Sequence, residues 1–432
     1  MAENVHPEFK SKEELLAFQL EGLTWSVAHA YNGSSHYRAS FDKAGVKPED
    51  IKTLDDIRKL PFVTSRDLQE GYPFPLLSVP MKDVVRIHAS SGTTGKRKIM
   101  SYTAKDVDDW AEMFARCYAY TGCTVEDRIQ IAVGYGVWTA GWGFQNGCER
   151  FGAMSIPAGP GNVDMQCQFL EDLQTTVMCC TASMGLLMAE EIDRRGLRGK
   201  IPLRKMIFGS ERASDAMRQR ISDLSGVAPD ELFDITGLTE LYGPGTGIDC
   251  PYHRGIHYWA DYYILEILDP ETLQPVPEGE VGEMVVTTLR KEATPLIRYR
   301  TRDLTRLITK PSACGSVMPM HDRILGRSDD MFIFRAVNIY PSHIDQILSC
   351  VEGAGCEYQI ILERNDDGKD RMLIKLEKEQ GVSGKDMNEK ISKKIKDDVK
   401  RQVMVSCDVE VVEYGALPRS ERKTKRVFDN RE

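Results

Sequence analysis

The stretch Ala89–Met100 reads ASSGTTGKRKIM and gathers hydroxyls, glycines and cations into one loop. Gly92 and Gly95 let backbone N–H groups close on a polyanion, Ser90, Ser91, Thr93 and Thr94 offer hydroxyl donors, and Lys96, Arg97 and Lys98 offset negative charge. The chemistry this favours is the grip of a triphosphate. It is not a Walker loop: two residues separate the glycines, and Arg97 follows Lys96 where that motif needs Ser or Thr. By itself the same composition also describes a flexible surface loop.

Other segments carry chemistry of their own. Phe233–Gly247 (FDITGLTELYGPGTG) sets two flexible turns around one acid, Glu240. A carboxylate that attacks an α-phosphorus brings two anions together, and a hard cation on oxygen ligands must shield them. Asp303 lies among four arginines in Ile297–Arg306 (IRYRTRDLTR), a pattern that alone reads as a salt-bridged surface. Lys423 stands in a basic C-terminal stretch, Leu417–Glu432 (LPRSERKTKRVFDNRE). Gly134–Phe144 (GYGVWTAGWGF) supplies a flat apolar wall, suited to a small aromatic acid or to plain core packing. Cys250, His253 and His257, with Cys314 and His321 further on, are sulfur and nitrogen ligands of the kind structural zinc takes; free thiols and exposed imidazoles are the alternative.

These residues need a scaffold. Lys12–Leu16 starts a helix, Leu54–Leu60 reads as a short one, and the remainder of the first eighty residues is loop-rich. Arg128–Ala132, Met154–Pro157, Thr176–Cys180 and Lys205–Phe208 are apolar runs separated by helix-length segments, the rhythm of βαβ units on a parallel sheet. Gly209–Ser214 (GSERAS) follows the last of them, and ligands sit outside the carboxyl ends of parallel strands. From Tyr258 to Ile308 the pattern turns to β-hairpins about a Pro/Gly turn at Pro275–Gly279. Beyond Gly326 a second alternation begins, with strands at Met331–Phe334, Tyr358–Leu362, Met372–Leu376 and Val409–Val412, and helices at Ile344–Val351 and Asp386–Gln402. The class is α/β with a small second domain.

In order and spacing these segments resemble the adenylate-forming (ANL, AMP-binding) superfamily. Leu60–Thr64 (LPFVT) and Asp322–Pro341 (DRILGRSDDMFIFRAVNIYP) are similar to its phenylacetate–CoA ligase branch. The resemblance covers about Leu60 to the C-terminus. It implies a large α/β N-terminal AMP-binding domain, residues 1–328, and a small α/β lid, residues 329–432, turning about Asp329.

The implied reaction consumes ATP, an aryl carboxylic acid and coenzyme A. An acyl-adenylate forms first, and the CoA thiol then displaces AMP. Phenylacetate leads, followed by indoleacetate, hydroxyphenylacetate and benzoate-like acids. The resemblance assigns Thr239 to the α-phosphate and acyl carboxylate, Glu240 to Mg²⁺, and Lys423 to the charge of the adenylation step. It gives the nucleotide to Ser90, Ser91, Gly92, Thr93, Thr94, Gly95, Lys96, Ser210, Glu211, Asp234, Thr236, Asp303 and Arg327. The acid pocket it implies is Tyr135, Ala140, Gly209, Ile235 and Gly237. A structural zinc on Cys250, His257 and Cys314 is implied too, with His253 or His321 as fourth ligand, since Ser312 stands where the family places a further Cys.

The sequence departs from the family at named positions. Thr236 replaces an adenine-stacking aromatic, Arg212 a Pro, and Ala336 and Arg422 each a Gly; Trp138 and Trp142 are bulkier than the usual residues. Two other readings share the ATP motifs: an enzyme that passes its acyl group to a carrier protein or an amine, and an inactive adenylate-binding relic.

At 432 residues, 41% apolar and 28% charged, the composition is that of a globular protein with a sizeable core. A net charge of −9 gives no general attraction to nucleic acid or anionic lipid. No apolar run reaches the length of a membrane span, the N-terminal MAENVHPEFKSKEELL has no signal-like core, and eleven scattered Cys fit reduced thiols, so a cytoplasmic protein is expected. The family resemblance adds the expectation of a homodimer.

Overall fold

In the computed structural model, residues 9–90, 97–210, 213–330, 332–335, 337–364, 370–382, 384–418 and 426–431 are described. The phosphate-loop residues Ser91, Gly92, Thr93, Thr94, Gly95 and Lys96 lie outside them, as do Glu211 and Lys423.

A nine-stranded sheet forms the centre. Five of its strands run parallel, in the spatial order Leu232–Leu238, Lys205–Gly209, Val177–Thr181, Arg128–Ile131 and Met154–Ile156. Helices Ala140–Phe151, Val163–Asp172, Ala182–Arg194 and Asp215–Ser225 alternate with them along the chain. Every residue of Val177–Thr181 and Lys205–Gly209 is buried. Strands covered on both faces read as unbroken apolar runs, which is how the sequence betrays them. All four expected parallel strands fall within a residue of their expected bounds. The sheet continues antiparallel through Gly243–Asp249, Ile256–Tyr258, Met320–His321 and Leu307–Ile308.

Helix Ala104–Tyr120 packs on Ala140–Phe151 so closely that a Cβ on Gly143 or Gly147 would lie 2.2 Å from Phe114. Those two glycines serve helix approach, and Phe144 is core, edge-on to Phe114 at 4.9 Å. A second, antiparallel sheet has the order Tyr263–Leu268, Gly282–Thr288, Tyr299–Thr305 and Gly326–Arg327, as the hairpin pattern requires.

From Phe332 onward the chain builds a core of its own, running from Phe332 to Val405 with no buried member from earlier residues. Its sheet has the order Asp408–Val412, Asp370–Lys378, Ala354–Arg364 and Val427–Asp429. The helix expected at Ile344–Val351 is Pro341–Leu348, because Pro341 takes a first-turn position where its fixed φ suits the helix. The Tyr414 hydroxyl donates to Glu190, and Arg220 donates to Gln380, so the small unit touches helices Ala182–Arg194 and Asp215–Ser225 of the large one. Among the described residues, no helix is long and apolar enough to cross a membrane.

Candidate active site

The ribbon Arg86–Ala89/Ile99–Tyr102 flanks the segment expected to bind phosphate, and Ser90 N–H donates to the Lys98 carbonyl at 3.1 Å. The Ser90 hydroxyl is buried with no hydrogen-bond partner among the described residues. Lys98 forms an ion pair with Glu240, which is 6% exposed. Tyr299 also donates to the Glu240 carboxylate, at 3.3 Å. Glu240 follows the strand Leu232–Leu238, on a turn closed by Leu241 N–H to the Leu238 carbonyl. A register shift between Thr236 and Gly237 precedes it. Gly237 has φ 149°, and a Cβ there would lie 2.1 Å from the Gly243 carbonyl oxygen, so only glycine lets the two strands approach. Thr239 is half-buried, and its carbonyl accepts from Tyr102 Oη at 3.5 Å.

Tyr299 stands on the strand that carries Asp303. Glu283 pairs with Leu304 and Val285 with Arg300, so residues 301–303 oppose the single Met284. Arg302 within this bulge has φ 71°, and a bulge of this kind re-aims the side chain beside it. Arg327 Nη1 donates to Asp303 at 2.9 Å, while its Nε and Nη2 donate to the two Asp329 oxygens at 2.9 and 3.1 Å. One guanidinium thus joins the expected ribose acid to the expected hinge acid. Thr236, Gly237 and Asp303 line one narrow cleft together with His321, Ile324 and Met284.

Asp234 is buried in an ion cluster, 2.5 Å from Arg218 and 3.2 Å from Arg323. Burial pushes its carboxyl up against the pull of the two arginines. Gly209 ends its strand beside Ile235, and a Cβ on it would be 3.1 Å from the Ile235 side chain, so these two acid-pocket candidates adjoin. Ser210 follows, exposed and with φ 71°. Tyr135 is half-buried, edge-on to Trp142 at 5.5 Å, with no partner for its hydroxyl among the described residues; Ala140 is buried at the start of its helix.

The metal candidates divide. Ligand atoms of Cys250, His257 and Cys314 lie within 4.8 Å of one another. His257 Nδ1 is 3.2 Å from the Met318 carbonyl, which leaves Nε2 facing Cys314 Sγ at 3.4 Å. Neither expected fourth ligand joins them. His253 has both ring nitrogens engaged, by Asp249 at 2.5 Å and by the Asp230 carbonyl at 2.9 Å. His321 bonds the Asp322 carbonyl through Nδ1, and it pairs with Ile256, so the strand alternation turns it away from His257. The side chain that does stand there is Ser312, 3.2 Å from His257 Nε2 and 2.9 Å from Cys314 Sγ.

Two family models match most of the chain. Residues 24–289 match the family model described as AMP-binding enzyme, and residues 336–431 match AMP-binding enzyme C-terminal domain. The phenylacetate-coenzyme A ligase of Escherichia coli K12 is 41% identical over 98% of this chain and 97% of its own length. The chain belongs to the AMP-binding enzymes, among the phenylacetate–coenzyme A ligases. The ligase of the same name from Aromatoleum evansii is 40% identical over 98% of this chain and 96% of its own. The crystal structure of 2-hydroxyisobutyryl-CoA ligase in its postadenylation state, bound to an acyl-AMP, superposes with a TM-score of 0.89 at 26% identity, over 98% of this chain and 91% of that one. The same enzyme in its thioesterification state gives 0.70.

Four residues of the site have no role of their own in the motifs, although Tyr242 and Tyr299 lie inside the segments that carry Glu240 and Asp303. Tyr299, Tyr102, Tyr242 and Lys291 surround the Glu240 turn, and nothing in their spacing sets them apart from core aromatics and a loop lysine.

Proposed function

We propose that this chain activates an arylacetic acid, phenylacetate first, as its acyl-adenylate and hands the acyl group to coenzyme A. By family it is an AMP-forming acid–thiol ligase. A carboxylate resists thiol attack because its leaving group is poor. In the first step a carboxylate oxygen of the acid attacks the α-phosphorus of ATP and pyrophosphate leaves. In the second the CoA thiolate attacks the acyl carbon and AMP leaves. The protein's work is to position and to screen charge.

The observation that carries this reading is the junction at Glu240. There the stem of the phosphate loop, through Lys98, and the strand bearing Asp303, through Tyr299, meet on one buried carboxylate. A buried carboxylate whose charge is now balanced by a lysine fits a hard divalent cation, and Glu240 would hold magnesium; that ion would offset the charge of the triphosphate. In this reading Ser90–Lys98 grips the phosphates, Thr239 meets the α-phosphate, Asp303 accepts the ribose hydroxyls, and Ser210, Glu211, Asp234 and Thr236 surround the adenine. Tyr135, Ala140, Gly209, Ile235 and Gly237 line the acid pocket. Lys423 supplies charge during adenylation only, and residues 329–432 turn about Asp329 between the two steps.

Zinc is part of the same reading. Two thiols and an imidazole at mutual ligand distance fit it, and the donor set is the soft one zinc prefers. Its place, between strand Gly243–Asp249 and the loop before Met320–His321, makes it a clip on the large unit. A homodimer working in the cytoplasm completes the proposal, and eleven cysteines with no disulfide among them accord with a reducing compartment.

The test is thioester formation across a panel of aryl acids with ATP, Mg²⁺ and free CoA. The reading expects AMP, pyrophosphate and an arylacetyl-CoA. Pyrophosphate exchange without a CoA thioester would assign the acyl group to a carrier protein or an amine instead.

A further inference from the structure

We propose that Lys291 is a positioning residue for adenylation: its ammonium, held between the rings of Tyr102 and Tyr242, fixes the two segments that carry Lys98 and Glu240 at one separation. The inference rests on the adenylation reading above and adds to it a residue that touches no substrate.

Lys291 is completely buried, and its Nζ has no hydrogen-bond partner among the described residues. It lies 3.8 Å from the centroid of Tyr102 and 4.0 Å from that of Tyr242. Tyr102 ends the strand that begins directly after Lys98, and Tyr242 follows Glu240 by two residues. The Tyr102 hydroxyl then donates to the Tyr242 carbonyl at 3.1 Å and to that of Thr239 at 3.5 Å. One cation therefore rests on a ring from each side of the Lys98–Glu240 pair. Its own backbone is anchored elsewhere: Asp106, on the first turn of Ala104–Tyr120, accepts from Glu292 N–H at 2.7 Å and from Ala293 N–H at 2.9 Å.

A lone buried amine disfavours folding, and a methionine of similar length would satisfy the packing without that cost. What methionine lacks is the charge that attracts two ring faces at once, since its thioether contacts to rings often lie at the edge. The groups facing Lys291 leave that charge in place at neutral pH. Asp106 and Asp109 of the helix favour the ammonium, while burial lowers its pKa from the usual lysine value to about 8. Asp109 is itself paired with Lys105 and Arg290, and Glu292 with the Thr103 hydroxyl. The Tyr102 and Tyr242 hydroxyls are held far above neutral by burial. His88, across the Tyr102 ring, is pushed down to about 4 by burial and stays uncharged. The cation is thus present below about pH 8 and lost above it.

The experiment compares full-length wild type with Lys291→Met in ATP–pyrophosphate exchange and in thermal unfolding. The inference expects kcat for exchange to fall by about 10–100-fold at pH 7, with the KM of the acid within a few fold of wild type. It expects a melting temperature unchanged or raised, since a buried unpaired charge has been removed. Wild-type exchange should decline about tenfold per pH unit above pH 8, and the variant should lack that limb. Exchange within twofold of wild type, a melting temperature that falls along with activity, or an alkaline limb that persists in the variant would overturn it. Wild type devoid of exchange with every acid would instead overturn the adenylation reading itself.

Discussion

Replacing Glu240 by Gln keeps the shape of the junction between phosphate loop and ribose strand and removes its charge. Two costs follow, and they separate in measurement. The first is to stability. Lys98 loses an anionic partner, but its side chain is 17% exposed and can turn to water, so the change lies between that of a surface pair and that of a fully buried one. That places it at about 1–2 kcal/mol, a shift of a few degrees in melting temperature for a chain of this size. The second cost is to the reaction. A neutral amide oxygen is a poor ligand for a hard cation, and loss of one charge-stabilising group at the transition state lowers the rate by about 10²–10³. The assay is ATP–pyrophosphate exchange at saturating acid, set beside CoA thioester formation from supplied acyl-adenylate. Exchange should fall by that factor while thioester formation stays within a few fold. Exchange within fivefold of wild type, or equal loss in both assays, would refute the reasoning.

The remaining predictions concern the lid and the metal. Lys423→Ala should abolish acyl-adenylate formation yet spare thioester formation from supplied acyl-adenylate; parallel loss of both would remove its assigned role. Asp329→Pro should spare adenylation and slow the thioester step, because Pro fixes the φ that the hinge must change, and a variant normal in both steps would end the hinge assignment. Elemental analysis of the purified protein should find about one zinc per chain, sharply reduced in Cys314→Ser. Zinc-free wild type of full stability would contradict that site.

Much of the scaffold was legible because burial writes itself into composition. Strands Val177–Thr181 and Lys205–Gly209 carry the apolar runs Val177–Cys180 and Met206–Phe208 because both their faces are covered, and the hairpin about Pro275–Gly279 is marked by its turn residues. Ligand chemistry marked Cys250, His257 and Cys314 among five candidates, and the family resemblance singled them out. That neither His253 nor His321 joins them was not legible, because strand register and local hydrogen bonding decide where these two point, and spacing along the chain carries neither. The aromatic–glycine stretch proved divided. Gly143 and Phe144 serve the contact with Phe114, while Tyr135 lies edge-on to Trp142. Lys291 was invisible for a different reason. A lysine in a loop reads as solvated, and only tertiary structure brings two tyrosines from distant segments over its ammonium.

The central claim is that a carboxylate oxygen of the acid becomes bonded to the α-phosphorus of ATP. Phenylacetate labelled with ¹⁸O in its carboxylate, turned over with ATP, Mg²⁺ and CoA, tests it by mass spectrometry of the nucleotide product. The account predicts AMP carrying one labelled oxygen and unlabelled pyrophosphate. Unlabelled AMP, or label released in inorganic phosphate alongside ADP, would contradict it.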